Sequence, residues 1–423
     1  MYSYSFAPKA DWSDRFGSQP EIWQYLRDCA ATLDLDRHIT TGCNVESTTW
    51  DTAHRAWNVQ TSLGAISARM IVVASGTLNE PRYPDIDGQE VFAGTRFHSS
   101  HWPQGFDANG LRIAVIGTGA SAIQIVPSIA PDAKSIHVFQ RTPAWVVPRG
   151  DRVIPEWSKR LYASLPRTER ASRWTQFATR ELMTGGFVKS GPILSLIQRV
   201  ARRHLEAQVD DVLLRQQLTP DFRVGCKRIL SSDDWYPALQ RPNVALVTDE
   251  IAAVNSTGVS TEAADHEFDA IVYATGFQIN RLPMPFVITG AAGTTLAYEW
   301  GVARPSAYLG TTVTDFPNMA IMTGPNTGLA NSSMLLMMES QAKYLAQMTA
   351  YLQQHPDNVL DVRADIQQHY TDDIDRRLKR SVWVTGGCQS WYQDDQGRVV
   401  TLWPGTTSRF ARLTRTLEIG DFV

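Results

Sequence analysis

The sequence lacks any apolar run of the ~18 residues that a membrane span requires. It opens on Met1-Tyr2-Ser3-Tyr4-Ser5-Phe6, with neither the basic n-region nor the apolar h-region of a secretory signal. An excess of one charge is missing too. The net charge of −3 leaves no basic footprint, so no nucleic-acid partner is expected. The four cysteines, Cys29, Cys43, Cys226 and Cys388, include no Cys-x-x-Cys pair. That pattern indicates neither a zinc site nor a disulfide framework, and the expectation is reduced thiols in a cytoplasm. The nine histidines show no metal-ligand spacing. Internal repeats and low-complexity linkers are also absent. What remains is the composition of a soluble globular protein, 43% apolar and 20% charged over 423 residues. That length suits two or three domains. The 13 tryptophans are many, and several fall near turns, as they do around large apolar pockets.

The clearest local signal is Leu111-Arg-Ile-Ala-Val-Ile-Gly117-Thr-Gly119-Ala120-Ser121-Ala122. Ile113 to Ile116 reads as a buried parallel strand. Glycines follow at once, and Ala122-Ile-Gln-Ile-Val126 continues at helical spacing. Strand, glycine turn and helix make the first turn of a dinucleotide fold. Gly117 permits the tight turn, Gly119 lets the backbone approach a pyrophosphate, and Ala122 keeps helix and strand close. Phosphates are expected at the helix N-terminus, on free N–H groups. The next strand, Ser135-Ile-His-Val-Phe139, ends in Gln140-Arg141-Thr142. An arginine there, with no acid, fits a 2′-phosphate and favours NADPH over NADH. A surface arginine after a strand is the alternative.

Upstream, Pro20 to about Leu33 reads as an amphipathic helix, and strands are expected near Asn44–Thr49 and Ala56–Thr61. Ala68 to Gly76 is an apolar strand closing in Ala74-Ser75-Gly76. A near copy, Phe268 to Gly276, closes in Ala274-Thr275-Gly276. Small residues there suit close approach of a cofactor, or a tight turn. Residues 151 to 217 are helical in pattern and rich in arginine. They are either a lid over substrate or a structural helical pair with a solvated face. Gly324 to Leu329 opens a helix near Ser332, carrying Met334, Met337 and Met338. Such a methionine stripe is core or pocket.

Phe92-x-Gly94-x-x-x-His98-x-x-x-Trp102-Pro103 resembles, position for position, the fingerprint of Baeyer–Villiger monooxygenases. Gly117-Thr-Gly-Ala-Ser-Ala122 resembles that family's NADPH loop, and Phe139-Gln-Arg141-Thr142-Pro143-x-Trp145 the segment after it. Asp269-x-x-x-x-Ala274-Thr275-Gly276 resembles its second Ala-Thr-Gly strand. Gly387-Cys388-x-Ser390-Trp391-Tyr392 and Thr401-Leu-Trp403-Pro404-Gly405 resemble its C-terminal signature. The resemblance spans nearly the whole chain.

It implies an α/β fold of two dinucleotide-binding, Rossmann-like domains, the NADP domain inserted in an N-terminally incomplete FAD domain. The implied boundaries are 1–106 for the first FAD part, 107–264 for the NADP domain with a helical insertion at about 151–217, and 265–423 for the second FAD part. The implied activity uses NADPH, FAD and O2 to insert one oxygen beside a ketone carbonyl, via a peroxyflavin. Arg228 falls where the family's active-site arginine lies; from the residues alone, Lys227-Arg228 also reads as solvated surface. Lys227 is implied to join Arg141 and Thr142 at NADPH. Ala74, Ser75, Gly76, Thr275 and Gly276 are implied to line the flavin. His98 and Trp102, on the segment joining the domains, are catalytic candidates, with His98 better suited to positioning. Met334 is implied to face substrate.

The family's N-terminal Gly-x-Gly-x-x-Gly unit for FAD does not occur here, nor does the aspartate before its Tyr-Ser-Phe segment. A start assigned too late and a real remnant are both open. Two other readings follow: an N- or S-oxygenating flavin monooxygenase, against which Trp102-Pro103 argues, and an inactive NADPH-binding remnant.

Overall fold

A computed structural model describes residues 2–279 and 284–423. The apolar run at Arg112–Ile116 is the middle strand of a five-stranded parallel sheet. In order across the sheet the strands are Val244–Val247, Ser135–Phe139, Arg112–Ile116, Ala270–Tyr273 and Thr95–His98. Side chains alternate between its faces. Ile113 and Val115 pack under the helix Ala122–Ile129, with Ile136, Val138 and Trp235. Ala114 and Ile116 face the other way, onto Phe268, Ile271, Tyr273 and Val259. Burial on both faces is what an unbroken apolar run encodes.

Register decides what happens at the end of this sheet. Tyr273 pairs with Ile116 on one side and with His98 on the other. Gly117, Ala274 and the residues after His98 therefore emerge together at the carboxyl ends of the strands. That edge is where open α/β sheets bind ligands. Asp269 pins the opposite end, accepting from the Arg112 backbone N–H at 2.7 Å and from its guanidinium at 2.8 and 3.2 Å. The sheet thus draws strands from both sides of the 107–264 span.

A second, two-stranded parallel sheet pairs Ile71–Val73 with Met319–Ile321. The expected Ala68–Gly76 strand is broken: Ala68 ends the strand Gly64–Ala68, and only Ile71–Val73 pair in the second sheet. The expected strands near 44–49 and 56–61 form as Val45–Asp51 and Ala56–Thr61, in a separate four-stranded sheet with Gly64–Ala68 and Val287–Thr289. The amphipathic segment after Ser18 is the helix Gln19–Thr32.

The arginine-rich stretch is helical as its pattern predicts: Glu156–Ser164, Pro166–Lys189, Pro192–Gln208 and Val212–Gln217. Its inner face packs onto the C-terminal region through Phe187, Leu194, Trp383 and Trp403. The helix expected near Ser332 starts at Met334, with the Ser333 hydroxyl accepting from Leu335 N–H.

The cysteine expectation needs correction at two positions. Cys226 and Cys388 form a disulfide, 162 residues apart in sequence with Cα atoms 6.1 Å apart. Spacing rules look for nearby pairs, whereas folding brings these two distant segments together. Cys29 and Cys43 are free thiols.

Candidate active site

The glycine turn is built as its residue types demand. Gly117 has φ +111°, and a Cβ there would lie 2.6 Å from the Ala274 carbonyl oxygen. Only glycine fits where two strand ends converge this closely. Gly119 has open space around it, which leaves room for a pyrophosphate. Ser121 makes no side-chain cap, and the N–H groups of Ile123 and Gln124 donate to the Gly119 and Ser121 carbonyls at 3.2 and 3.1 Å, which leaves the Ala122 N–H at the helix start for an anion. Ala122 is buried against the strand. The Thr118 hydroxyl donates to the Thr142 carbonyl at 3.0 Å, which joins the glycine turn to the Arg141-Thr142 loop.

Arg141 is exposed, whereas Lys227 is half-buried over the Phe222 ring. Burial, then the Arg141 charge, holds the Lys227 ammonium below its usual range. Two cations from separate segments, set close enough to repel, form a site for a dianion such as a 2′-phosphate. These features fit NADPH.

Arg228, the next residue, is exposed and lines a cavity of about 490 Å³. Ile229, Met334, Trp391, Tyr392 and Leu402 supply apolar wall, and Thr77 and Gly324 close the side nearest the second sheet. The Arg228 guanidinium has no carboxylate partner among the described residues. Burial pushes the Tyr392 phenol up, and the Arg228 charge opposes that shift. The disulfide at Cys226 ties the Arg228 loop to the segment that carries Trp391 and Tyr392. Ala74, Ser75 and Gly76 are exposed at the end of Ile71–Val73, and Gly76 has φ +76° with open space about it. Thr275 and Gly276 are half-buried, and Gly276, at φ +81°, is equally open. These two unfilled turns fit a flat cofactor beside the cavity.

The catalytic and substrate candidates separate in space. Arg228 and Met334 line the cavity; His98 and Trp102 do not. His98 is fully buried at the end of its strand, its ring 5.4 Å from Phe277 and 5.7 Å from Tyr83. Its Nδ1 is 2.7 Å from the Ser100 hydroxyl. Among the described residues its Nε2 has no hydrogen-bond partner, although it faces the Gly276 backbone. Burial holds this imidazole below its usual pKa, hence neutral. Trp102 stacks edge-on against Phe97 at 4.9 Å and Phe106 at 5.4 Å. Both therefore brace the segment between the sheets. Sequence reasoning passed over Gln176 and Arg180, which reach the cavity from the helix Pro166–Lys189. Their i, i+4 spacing was the available signal.

Known proteins of similar sequence and fold identify the family. A family profile for pyridine nucleotide-disulphide oxidoreductases matches residues 3–169. A Baeyer–Villiger monooxygenase of Streptomyces coelicolor is 43% identical over 427 residues, covering all of this chain and 82% of the relative. One from Pseudomonas aeruginosa is 39% identical, covering all of this chain and 80% of the relative. Among solved structures, an oxidized steroid monooxygenase bound to NADP superposes with a TM-score of 0.85 at 29% identity, covering 98% of this chain and 86% of that one. A closed cyclohexanone monooxygenase shares the fold, with a TM-score of 0.86 at 23% identity over 98% of this chain and 86% of its own. With a full-length match at this identity, and with its glycine turn, paired cations and cavity arginine in place, the chain belongs to the Baeyer–Villiger monooxygenases.

Proposed function

We propose that Arg228 is the catalytic cation of an NADPH- and FAD-dependent monooxygenase that inserts one oxygen atom from O2 beside a ketone carbonyl. The observation that carries this is the position of Arg228 at a cavity beside Ile229, Met334 and Leu402, with no carboxylate partner among the described residues. When bound, FAD reduced by NADPH supplies the activated oxygen. The chain's own residues do the rest. Gly117, Gly119, Ala120, Ser121 and Ala122 seat the NADPH pyrophosphate, and Arg141, Thr142 and Lys227 hold its 2′-phosphate end. Ala74-Ser75-Gly76 and Thr275-Gly276 flank the flavin. Arg228 stays protonated at any working pH and offers fixed positive charge to oxyanions that develop during attack. Ile229, Met334 and Leu402 supply apolar surface beside it for the ketone. His98 and Trp102 set the spacing between the two cofactor turns. On this reading 107–264 serves NADPH, while 1–106 and 265–423 serve FAD. We place the enzyme in the cytoplasm, where NADPH is generated.

The test supplies the purified chain with FAD, NADPH, a panel of ketones and ¹⁸O₂. One labelled oxygen should enter the ester or lactone product. Arg228→Ala should lower ester formation by about 10²–10³-fold, while NADPH affinity, read by fluorescence titration, stays within about twofold. Full activity in that variant would remove Arg228 from the role. NADPH binding without flavin retention would support the remnant reading, and oxygenated amines or sulfides without esters would support the N- or S-oxygenating one.

A further inference from the structure

The cavity has an unusual charge pattern. Arg15, Arg180 and Arg228 line it, and among the described residues no aspartate or glutamate does. Arg228 has a task in the reaction proposed above. Arg15 is exposed and lies over the Phe16 ring at 5.8 Å. Arg180 has no such explanation. Among the described residues its guanidinium has neither an ion pair nor a hydrogen bond.

The backbone that carries it is nevertheless held at the cavity. The Arg180 carbonyl accepts from the Thr184 hydroxyl and from Asn331 Nδ2, both at 3.0 Å. Asn331 Oδ1 in turn accepts from Thr184 at 3.3 Å. This clasp fastens the helical turn bearing Arg180 to the loop before Met334, at the cavity wall.

The acids that could neutralise Arg180 are committed elsewhere. Glu181, its chain neighbour, accepts from the Thr407 and Ser408 backbone N–H groups at 2.8 and 3.0 Å and from the Ser408 hydroxyl at 2.6 Å. It therefore caps the helix Thr407–Leu413. Glu339, further along the cavity-side helix, accepts from Ser5 N–H at 2.6 Å and faces Arg173 at 4.0 Å. Gln176, one helical turn before Arg180, also lines the cavity and adds an amide donor.

NADPH phosphates do not account for the charge. Gly117, Gly119, Arg141 and Lys227 lie outside this cavity's lining. Like charges gathered without a counterion repel one another, and an anionic occupant relieves that cost. A guanidinium matches a carboxylate in two parallel hydrogen bonds. We propose that the cavity selects ketones that carry a carboxylate, with Arg180 as the residue that recognises it and Gln176 as a second donor. This inference rests on the Baeyer–Villiger reading of the same cavity.

The test compares 4-acetylbenzoate with its methyl ester. The FAD- and NADP-loaded protein is titrated with each, first without reducing equivalents and then in turnover. The wild type should favour the carboxylate about tenfold or more in Kd and in kcat/KM. Arg180→Gln should abolish that preference and leave the methyl ester within about twofold. Arg180→Lys should restore part of it, because charge is kept and the fork is lost. No preference in the wild type would overturn the proposal. So would an equal loss on both ligands in Arg180→Gln, or a loss confined to FAD or NADPH affinity. A carboxylate preference in binding, with no ester formed from any ketone, would support this inference while sinking the reaction assigned above.

Discussion

Two turns of nearly the same sequence sit in different surroundings. Val72-Val73-Ala74-Ser75-Gly76 and Val272-Tyr273-Ala274-Thr275-Gly276 both end a parallel strand. Both close on a glycine in the left-handed region, at φ +76° and +81°, with open space where a side chain would go. There the likeness ends. The strand before Gly276 lies inside the five-stranded sheet, and Ala270 to Tyr273 are wholly buried. The strand before Gly76 has one partner among the described residues, and Val72 is 45% exposed. Local sequence sets the turn; neighbouring strands set its burial. One turn is held by a closed core, the other by a three-residue pairing.

The strongest way to break this comparison is Gly117→Ala. The new methyl meets the Ala274 carbonyl in addition to the positive φ. The closed sheet cannot yield there, so the cost should be ~3 kcal/mol or more, with NADPH affinity lost in parallel. Gly76→Ala meets only the backbone term, about 1 kcal/mol. Chemical denaturation of both variants, followed by NADPH and FAD titration, checks the contrast. Equal costs would mean that the glycine turn is not seated as tightly as Ala274 implies.

Next comes the covalent tie between the Arg228 loop and the C-terminal segment. Replacing Cys226 and Cys388 together by alanine, or reducing them, frees the two sides of the cavity from each other. Loss of a cross-link spanning 162 residues is expected to cost ~3 kcal/mol. Cys226 is fully buried, so reduction should be slow in the folded chain. Activity should fall in kcat more than NADPH binding does, because Arg141 and the Gly117 turn lie outside the released loop whereas Lys227 and Arg228 lie on it. Unchanged stability after complete thiol titration would show that packing of Trp383 and Trp403 alone holds the loop.

These regions were unequally legible in the sequence. The glycine turn could be read because its requirements are local: an apolar run, a glycine and a small residue at fixed offsets. The second Ala-Thr-Gly strand was also visible, but its place between Arg112–Ile116 and Thr95–His98 was not. Strand order is a long-range property that no short motif encodes. The Arg228 assignment came from resemblance, since a Lys-Arg pair by itself carries no position. The cysteine spacing pointed away from the Cys226–Cys388 pair, because closure over 162 residues leaves no periodic trace. Arg180 was hidden for the same reason. It looks like any helical surface arginine until Asn331 and Glu181 show which way its turn faces and where its neighbour's charge goes.

The smallest effects sharpen the comparison through pH. Asp269 belongs to the closed sheet, and its hydrogen bonds from Arg112 hold its carboxyl below the usual aspartate range. It should stabilise the fold above an unfolded pKa of ~4 and lose that contribution as pH falls further. Its side chain is 36% exposed, so the contribution should be under ~1 kcal/mol. Asp361 lies beside the second sheet, where the Leu360 N–H donates to Asn318 Oδ1. Burial first, and then the Asp315 charge, pushes its carboxyl up to about 7, against a hydrogen bond from Asp315 N–H at 3.0 Å. A raised folded pKa has the opposite sign. That stability is complete below pH ~4 and is lost as pH rises through 7. Asp361→Asn keeps an acceptor for Asp315 and removes the titration. It should therefore be more stable than the wild type at pH 8, by ~2 kcal/mol, and equal to it at pH 4. Asp269→Asn should be weaker at pH 8 and converge with the wild type in acid. Denaturant midpoints of the three proteins between pH ~2 and ~8 read both slopes, that of Asp269 below pH ~4 and that of Asp361 between ~4 and 7. Parallel slopes would mean that the two halves of the molecule do not differ electrostatically in the way these two aspartates indicate.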